Sequence, residues 1–158
     1  MLPEQQVAAA LIQRNLTLSA AESCTGGLIS KRITDISGAS KFYKGGACTY
    51  CNEIKHHILH VKQETLDTYT AVSRQTAEEM ARGCAQVFDT DISVSVTGYA
   101  EGDGEDGTPG GTIYIGMYFR GTVQVDRIFI PDGREAARTG AADHAFQMIL
   151  SALEKITV

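Results

Sequence analysis

Two periodicities meet near the N-terminus of this chain. Leu16, Leu18 and Ala20 alternate with Thr17 and Ser19, the period-2 signature of a strand, while Leu28, Ile29, Arg32, Ile33 and Ile36 recur at helical spacing. Between them lies Ala20-Ala21-Glu22-Ser23-Cys24-Thr25-Gly26-Gly27, so a hydroxyl stands where a strand hands over to a helix. The first N–H groups of a helix have no partner within it, and at such a junction they can face an anion or a developing oxyanion. The two glycines let ligand atoms come close to the backbone. The pattern predicts a nucleophile turn at Ser23.

The same reading places the other elements. Val7, Ala10, Leu11 and Arg14 suit a short amphipathic helix with Pro3 near its start, where a missing N–H is harmless. Phe42 to Cys51 reads as a strand in which Gly45-Gly46 marks a bulge or a close approach. Asn52 is the expected cap of the next helix, with Glu53 in its first turn. Gln63 to Tyr69 forms a short helical turn, and Ser73 caps a longer helix with Ala77, Met80, Ala81, Cys84, Val87 and Phe88 on its apolar face. Ile92, Val94 and Val96 alternate with hydroxyl residues in a strand ending at Gly98, after which Tyr99 to Gly111 is a loop of glycines and acids. Thr112 to Phe119 and Val123 to Ile130 make two strands joined at Arg120-Gly121. Asp132-Gly133-Arg134 introduces a long helix that buries Ala142, Ala145, Phe146, Ile149, Leu150 and Leu153. This order predicts an α/β fold, a three-layer α/β/α sandwich built on a mixed β-sheet, with residues 1–158 forming one domain.

Composition narrows the partners. The 158 residues are 43% hydrophobic and 21% charged, ordinary values for a globular domain rather than a disordered one. A net charge of −5 without a clustered basic surface argues against nucleic-acid binding. No apolar stretch is long enough to span a bilayer, and Met1 to Gln6 is acidic and polar, so a cytoplasmic location and no membrane partner are expected. In that compartment Cys24, Cys48, Cys51 and Cys84 are expected as thiols.

A serine nucleophile needs a base. Lys55 falls about three residues inside the helix that follows Asn52, where the dipole and burial both disfavour an ammonium and can lower its pKa toward that of a base. Serine with lysine is a known alternative to Ser-His-Asp, and Tyr50 stands ready to relay or position the proton. His56, His57, His60 or His144 could complete a Ser-His-Asp site instead, though no spacing selects one of them.

Other candidate chemistry is weaker. Cys48-Thr49-Tyr50-Cys51 puts its first cysteine within a strand rather than at a helix start, and no second pair completes a zinc site. His56 and His60 share a helical spacing but lack further ligands. The acidic run Glu101 to Gly107 fails the EF-hand register and reads as a solvated loop. Arg127, Arg134 and Arg138 either solvate the surface, or one of them, at the helix that begins near Asp132, grips a phosphate or carboxylate.

Five segments in order, Ala21-Glu22-Ser23-Cys24-Thr25-Gly26-Gly27, Thr49-Tyr50-Cys51-Asn52-Glu53-Ile54-Lys55, Ala71-Val72-Ser73, Val96-Thr97-Gly98 and Pro109-Gly110-Gly111-Thr112, resemble the C-terminal domain of the competence/damage-inducible protein family CinA. That family includes stand-alone amidohydrolases that convert nicotinamide mononucleotide to nicotinate mononucleotide and ammonia. The resemblance implies Ser23 as nucleophile, Lys55 as general base and Tyr50 as catalytic assistant. It further implies a substrate site containing Thr25, Gly26, Gly27, Thr97, Gly98 and Arg134, with no metal or cofactor. The implied partners are a nucleotide-sized substrate and further copies of the chain. Two positions depart from the family pattern: Cys51 stands for the usual serine, and Tyr99-Ala100-Glu101-Gly102 replaces Ile-Ala-Gly-Pro. The second departure brings carboxylates toward the substrate and supports an alternative, a nucleotide-binding or regulatory module of the same fold without turnover.

Overall fold

The computed structural model describes residues 1–156. In chain order it contains α1 (Pro3–Arg14), β1 (Leu18–Glu22), α2 (Leu28–Thr34), a 3-10 turn (Ala39–Lys41), β2 (Tyr43–Cys48), α3 (Asn52–Leu59), α4 (Gln63–Tyr69), α5 (Arg74–Phe88), β3 (Ile92–Gly98), β4 (Thr112–Phe119), β5 (Thr122–Phe129) and α6 (Arg134–Glu154). The strands form one sheet in the order β2-β1-β3-β4-β5. β2, β1 and β3 run parallel, while β4 and β5 continue the sheet antiparallel through the Arg120-Gly121 turn. The sheet is therefore mixed and has helices on both faces, the three-layer α/β/α sandwich expected from the element order.

Side-chain parity shows which helix covers which face. Ile113, Ile115 and Met117 of β4 join Leu18 and Ala20 of β1 in a core closed by α1, α2 and α6, with Phe146, Ile149 and Leu153 at its centre. On the other face Gly116 lies beneath Ala77 of α5, and Ala21 packs with Leu59, Met80 and Cys84. Arg32 ties the first helical layer together, pairing with Glu4 at 2.7 Å and Asp143 at 2.8 Å and lying over the Phe146 ring.

The alternation in β1 and β3 does not separate core from solvent, because every residue of β1 is buried and so is β3 up to Thr97. The serines lie on the α5 side: Ser95 donates to the Ala77 carbonyl at 2.6 Å and Ser93 to that of Ala81, both in α5, and Ser19 bonds the Thr90 hydroxyl just beyond that helix. A buried hydroxyl is tolerated only with such a partner.

Several local expectations need correction. The cap of α3 is Cys51, with Asn52 as the first helical residue. Val87 is exposed, because the buried stripe of α5 runs through Ala77, Met80, Ala81 and Cys84 and leaves that residue to one side. Ser73 does cap α5, accepting from the Thr76 N–H at 3.1 Å. Gly45-Gly46 fills both roles foreseen for it: the register against β1 slips beside Gly45, and a Cβ on Gly46 would press on the Ala20 carbonyl and the Ser30 hydroxyl.

Candidate active site

β1 is flanked by β2 on one side and β3 on the other, so the chain reverses its direction of travel across the sheet at β1. Such a switch point opens a crevice beyond the carboxyl ends of the strands. Ser23 follows β1 immediately, anchored by its own N–H to the Val96 carbonyl of β3. The turn that follows needs its glycines, since Gly26 and Gly27 have φ of 61° and 100°.

Helix α2 does not offer its N-terminus to a ligand. The Glu22 carboxylate, fully buried, accepts the N–H groups of Ile29 at 2.9 Å and Ser30 at 3.0 Å and also the Ser30 hydroxyl at 2.7 Å. The Leu28 N–H goes to the Thr25 carbonyl. Among the described residues the free donors are instead the turn amides of Cys24, Thr25 and Gly27, for which no acceptor is present. The expectation of helical amides is thus corrected to turn amides, and the cause is a carboxylate one residue before the nucleophile.

Lys55 reaches Ser23 from the opposite layer. Its side chain is 1% exposed, and Nζ lies 3.1 Å from Ser23 Oγ, 2.7 Å from the Thr49 carbonyl and 3.1 Å from that of Tyr50. Among the described residues no carboxylate pairs with it. Burial pulls its pKa down to about 8, against a weak opposing pull from the sulfurs of Cys51 and Cys24. Burial rather than the helix dipole carries the shift. The close packing behind this geometry rests on Gly83 of α5, where a Cβ would collide with the Leu59 carbonyl at the end of α3.

The remaining predicted residues fall into two adjoining cavities. One, of about 210 Å³, is lined by Ser23, Lys55, Tyr50, Thr97, Gly98 and Arg134, among others. The second, of about 610 Å³, is lined by Thr25, Gly26, Gly27, Lys31, Arg134 and Arg138. Arg134 opens α6 and borders both. Tyr50 enters through its carbonyl, while its ring is 68% exposed and its hydroxyl bonds nothing among the described residues. Thr97 gives its hydroxyl to the Ala71 carbonyl at 2.6 Å and so holds the cavity wall together. Thr25 keeps a buried hydroxyl without a partner at the edge of the larger cavity.

The sequence offers Arg127, Arg134 and Arg138 together as anion-binding candidates and the resemblance selects Arg134; Arg138 has a different part, its Nε donating to the Cys24 carbonyl at 2.8 Å and strapping the nucleophile turn. Its position one helical turn after Arg134 was the available signal. Arg127 lies apart, its guanidinium over the Tyr114 ring. No histidine lines the Ser23 cavity: His56 and His57 bond the Val61 and Glu53 carbonyls, His60 lines a separate groove with Thr65 and Glu79, and His144 faces Asp126 at 2.8 Å. All four cysteines are free thiols, and among the described residues no group of three His, Cys, Asp or Glu is placed to hold a metal ion. No described helix is long and apolar enough to cross a membrane.

The fold and site thus define an α/β/α domain with a buried serine–lysine pair at the sheet's switch point and cationic side chains beside it. The family profile described as the CinA C-terminal domain matches residues 2–153, and the chain belongs to that family. It is 38% identical over 151 residues to a competence-damage inducible protein of Bacillus subtilis, covering 96% of this chain and 36% of that protein. A protein described likewise from Clostridium botulinum is 42% identical, with 97% of this chain and 38% of that protein covered. The chain therefore spans under two-fifths of the length of these relatives. A crystal structure of a CinA superfamily protein from Klebsiella pneumoniae superposes with a TM-score of 0.95 at 34% identity, covering 98% of this chain and 97% of that one.

Proposed function

We propose that this domain is an amidohydrolase that converts nicotinamide mononucleotide to nicotinate mononucleotide and ammonia. The observation that carries the reading is the buried Lys55 amine, 3.1 Å from Ser23 Oγ and with its pKa pulled down to about 8. A lysine in that state holds a usable fraction of free amine near neutral pH and can take the serine proton.

Lys55 accepts the Ser23 proton while Oγ bonds to the carboxamide carbon, and the negative charge moves to the carbonyl oxygen. Turn amides of Cys24, Thr25 and Gly27 are the donors available to that oxyanion and to a phosphate. Collapse breaks the C–N bond, and the Lys55 ammonium returns its proton to the departing nitrogen as ammonia. Water, deprotonated by the same lysine, then attacks the ester, releases the carboxylate and restores the Ser23 hydroxyl. Tyr50, beside the catalytic cavity, assists by positioning. Arg134, Arg138 and the unpartnered Thr25 hydroxyl offer a charged and polar seat for the nucleotide phosphate in the adjoining cavity.

The test is ammonia release from nicotinamide mononucleotide and from free nicotinamide, which lacks the phosphate. Release from the nucleotide with little from the base is expected. No release from the nucleotide overturns the reading. The contrasting reading, a nucleotide-binding or regulatory module without turnover, draws on Glu101, whose carboxylate lies 3.6 Å from Arg134 Nε and competes for it. Nucleotide binding without ammonia would favour that module.

A further inference from the structure

Resting on the nucleotide reading above, we infer that Glu101 sets the charge preference of the catalytic cavity. It favours a carboxamide on a cationic, N-substituted pyridinium ring over the same carboxamide on an uncharged ring and over the carboxylate product.

Glu101 is the sole acid among the residues lining the 210 Å³ cavity, which otherwise presents Lys55 and Arg134. Without it the cavity would be cationic throughout and would hold best a carboxylate, which is the product of amide hydrolysis. With it, one negative charge faces the space beside the nucleophile. A carboxylate in a small cavity suits a cationic ring over a neutral or anionic one.

The backbone that carries the carboxylate is fixed, and the carboxylate itself is not used up. Tyr99 donates its N–H to the Thr112 carbonyl and accepts from the Gly111 N–H, which fixes the chain two residues before Glu101. The Asp103 carboxylate accepts the Gly110 N–H at 2.9 Å, and a Cβ on Gly110 would press on the Gly102 backbone, so the two arms of the loop cross tightly just beyond Glu101. The contact with Arg134 at 3.6 Å is longer than a hydrogen bond, and both side chains are about half exposed. Exposed pairs of this kind contribute little, so Arg134 is free to turn to a phosphate and leave Glu101 facing the ring.

The test compares nicotinamide mononucleotide with its reduced form, whose dihydropyridine ring is uncharged and whose ribose phosphate is the same. Binding is measured by calorimetry at low salt in a Ser23→Ala background, so that turnover does not interfere. Glu101→Gln should reduce the preference for the cationic ring about fivefold, the scale of a partly screened charge pair, and should tighten binding of nicotinate mononucleotide. Glu101→Asp should restore the preference. An unchanged ratio in Glu101→Gln overturns the inference. The hydrolase reading fails separately: charge discrimination without ammonia release from the Ser23 enzyme sinks that reading alone, and ammonia release with an unchanged ratio sinks the role of Glu101 alone.

Discussion

Raising the pH from 7 to 9 perturbs the serine–lysine pair without changing an atom of it. Lys55 acts as a base only as the free amine, and burial has moved its pKa from 10.5 to about 8. At that value about 9% of the lysine is free amine at pH 7 and about 90% at pH 9, so activity should rise roughly tenfold and then level off. A lysine with an ordinary pKa would gain roughly a hundredfold over the same interval without levelling. The assay is kcat/KM for ammonia release across that range, which reports the base in the free enzyme. A flat profile, or a hundredfold climb with no plateau near pH 8 to 9, would refute the assignment. The same shift has a stability consequence of definite sign. Between pH 8 and 10.5 the folded state binds fewer protons at Lys55 than the unfolded state, so stability rises with pH through that window. The burial penalty, about 3 kcal/mol, is fully present below it. Lys55→Met removes the penalty but also the bonds to the Thr49 and Tyr50 carbonyls, each worth about 1 kcal/mol, so the melting temperature should shift little while activity disappears.

Other substitutions probe the frame around the pair. Glu22→Ala strands the buried amides of Ile29 and Ser30 and should cost about 3 kcal/mol, lowering Tm by roughly 10 °C in a scanning calorimeter. Gly83→Ala drives a methyl group into the Leu59 carbonyl and should cost more than about 3 kcal/mol by denaturant titration, with α3 and Lys55 displaced and ammonia release reduced. Ser73→Ala removes the cap of α5 and should cost about 1 kcal/mol in the same titration.

Much of this architecture was legible because period and punctuation agree. Ser73 capped the helix it was expected to cap, Gly45-Gly46 marked a bulge, and the Arg120-Gly121 pair joined two antiparallel strands. The alternation in β1 and β3 located strands correctly but did not reveal that both faces are covered. The serines there are buried with partners distant in sequence, Ser93 and Ser95 on α5 carbonyls and Ser19 on the Thr90 hydroxyl, pairings invisible to a local pattern. Ser23 and Lys55 were both visible as residues, yet their 3.1 Å approach depends on Gly83 letting α3 settle against α5. Glu22 carried no signal of its own, and only the fold reveals its carboxylate as the acceptor of the first α2 amides. Arg138 was one of three equivalent arginines until the Cys24 carbonyl selected it.

The central claim is that Ser23, activated by Lys55, cleaves a carboxamide. Ammonia release from nicotinamide mononucleotide by the native chain and by Ser23→Ala tests it most directly. Turnover by the native chain and only background in the variant are expected, with both proteins folded to the same Tm within a few degrees. Equal rates in the two would contradict it.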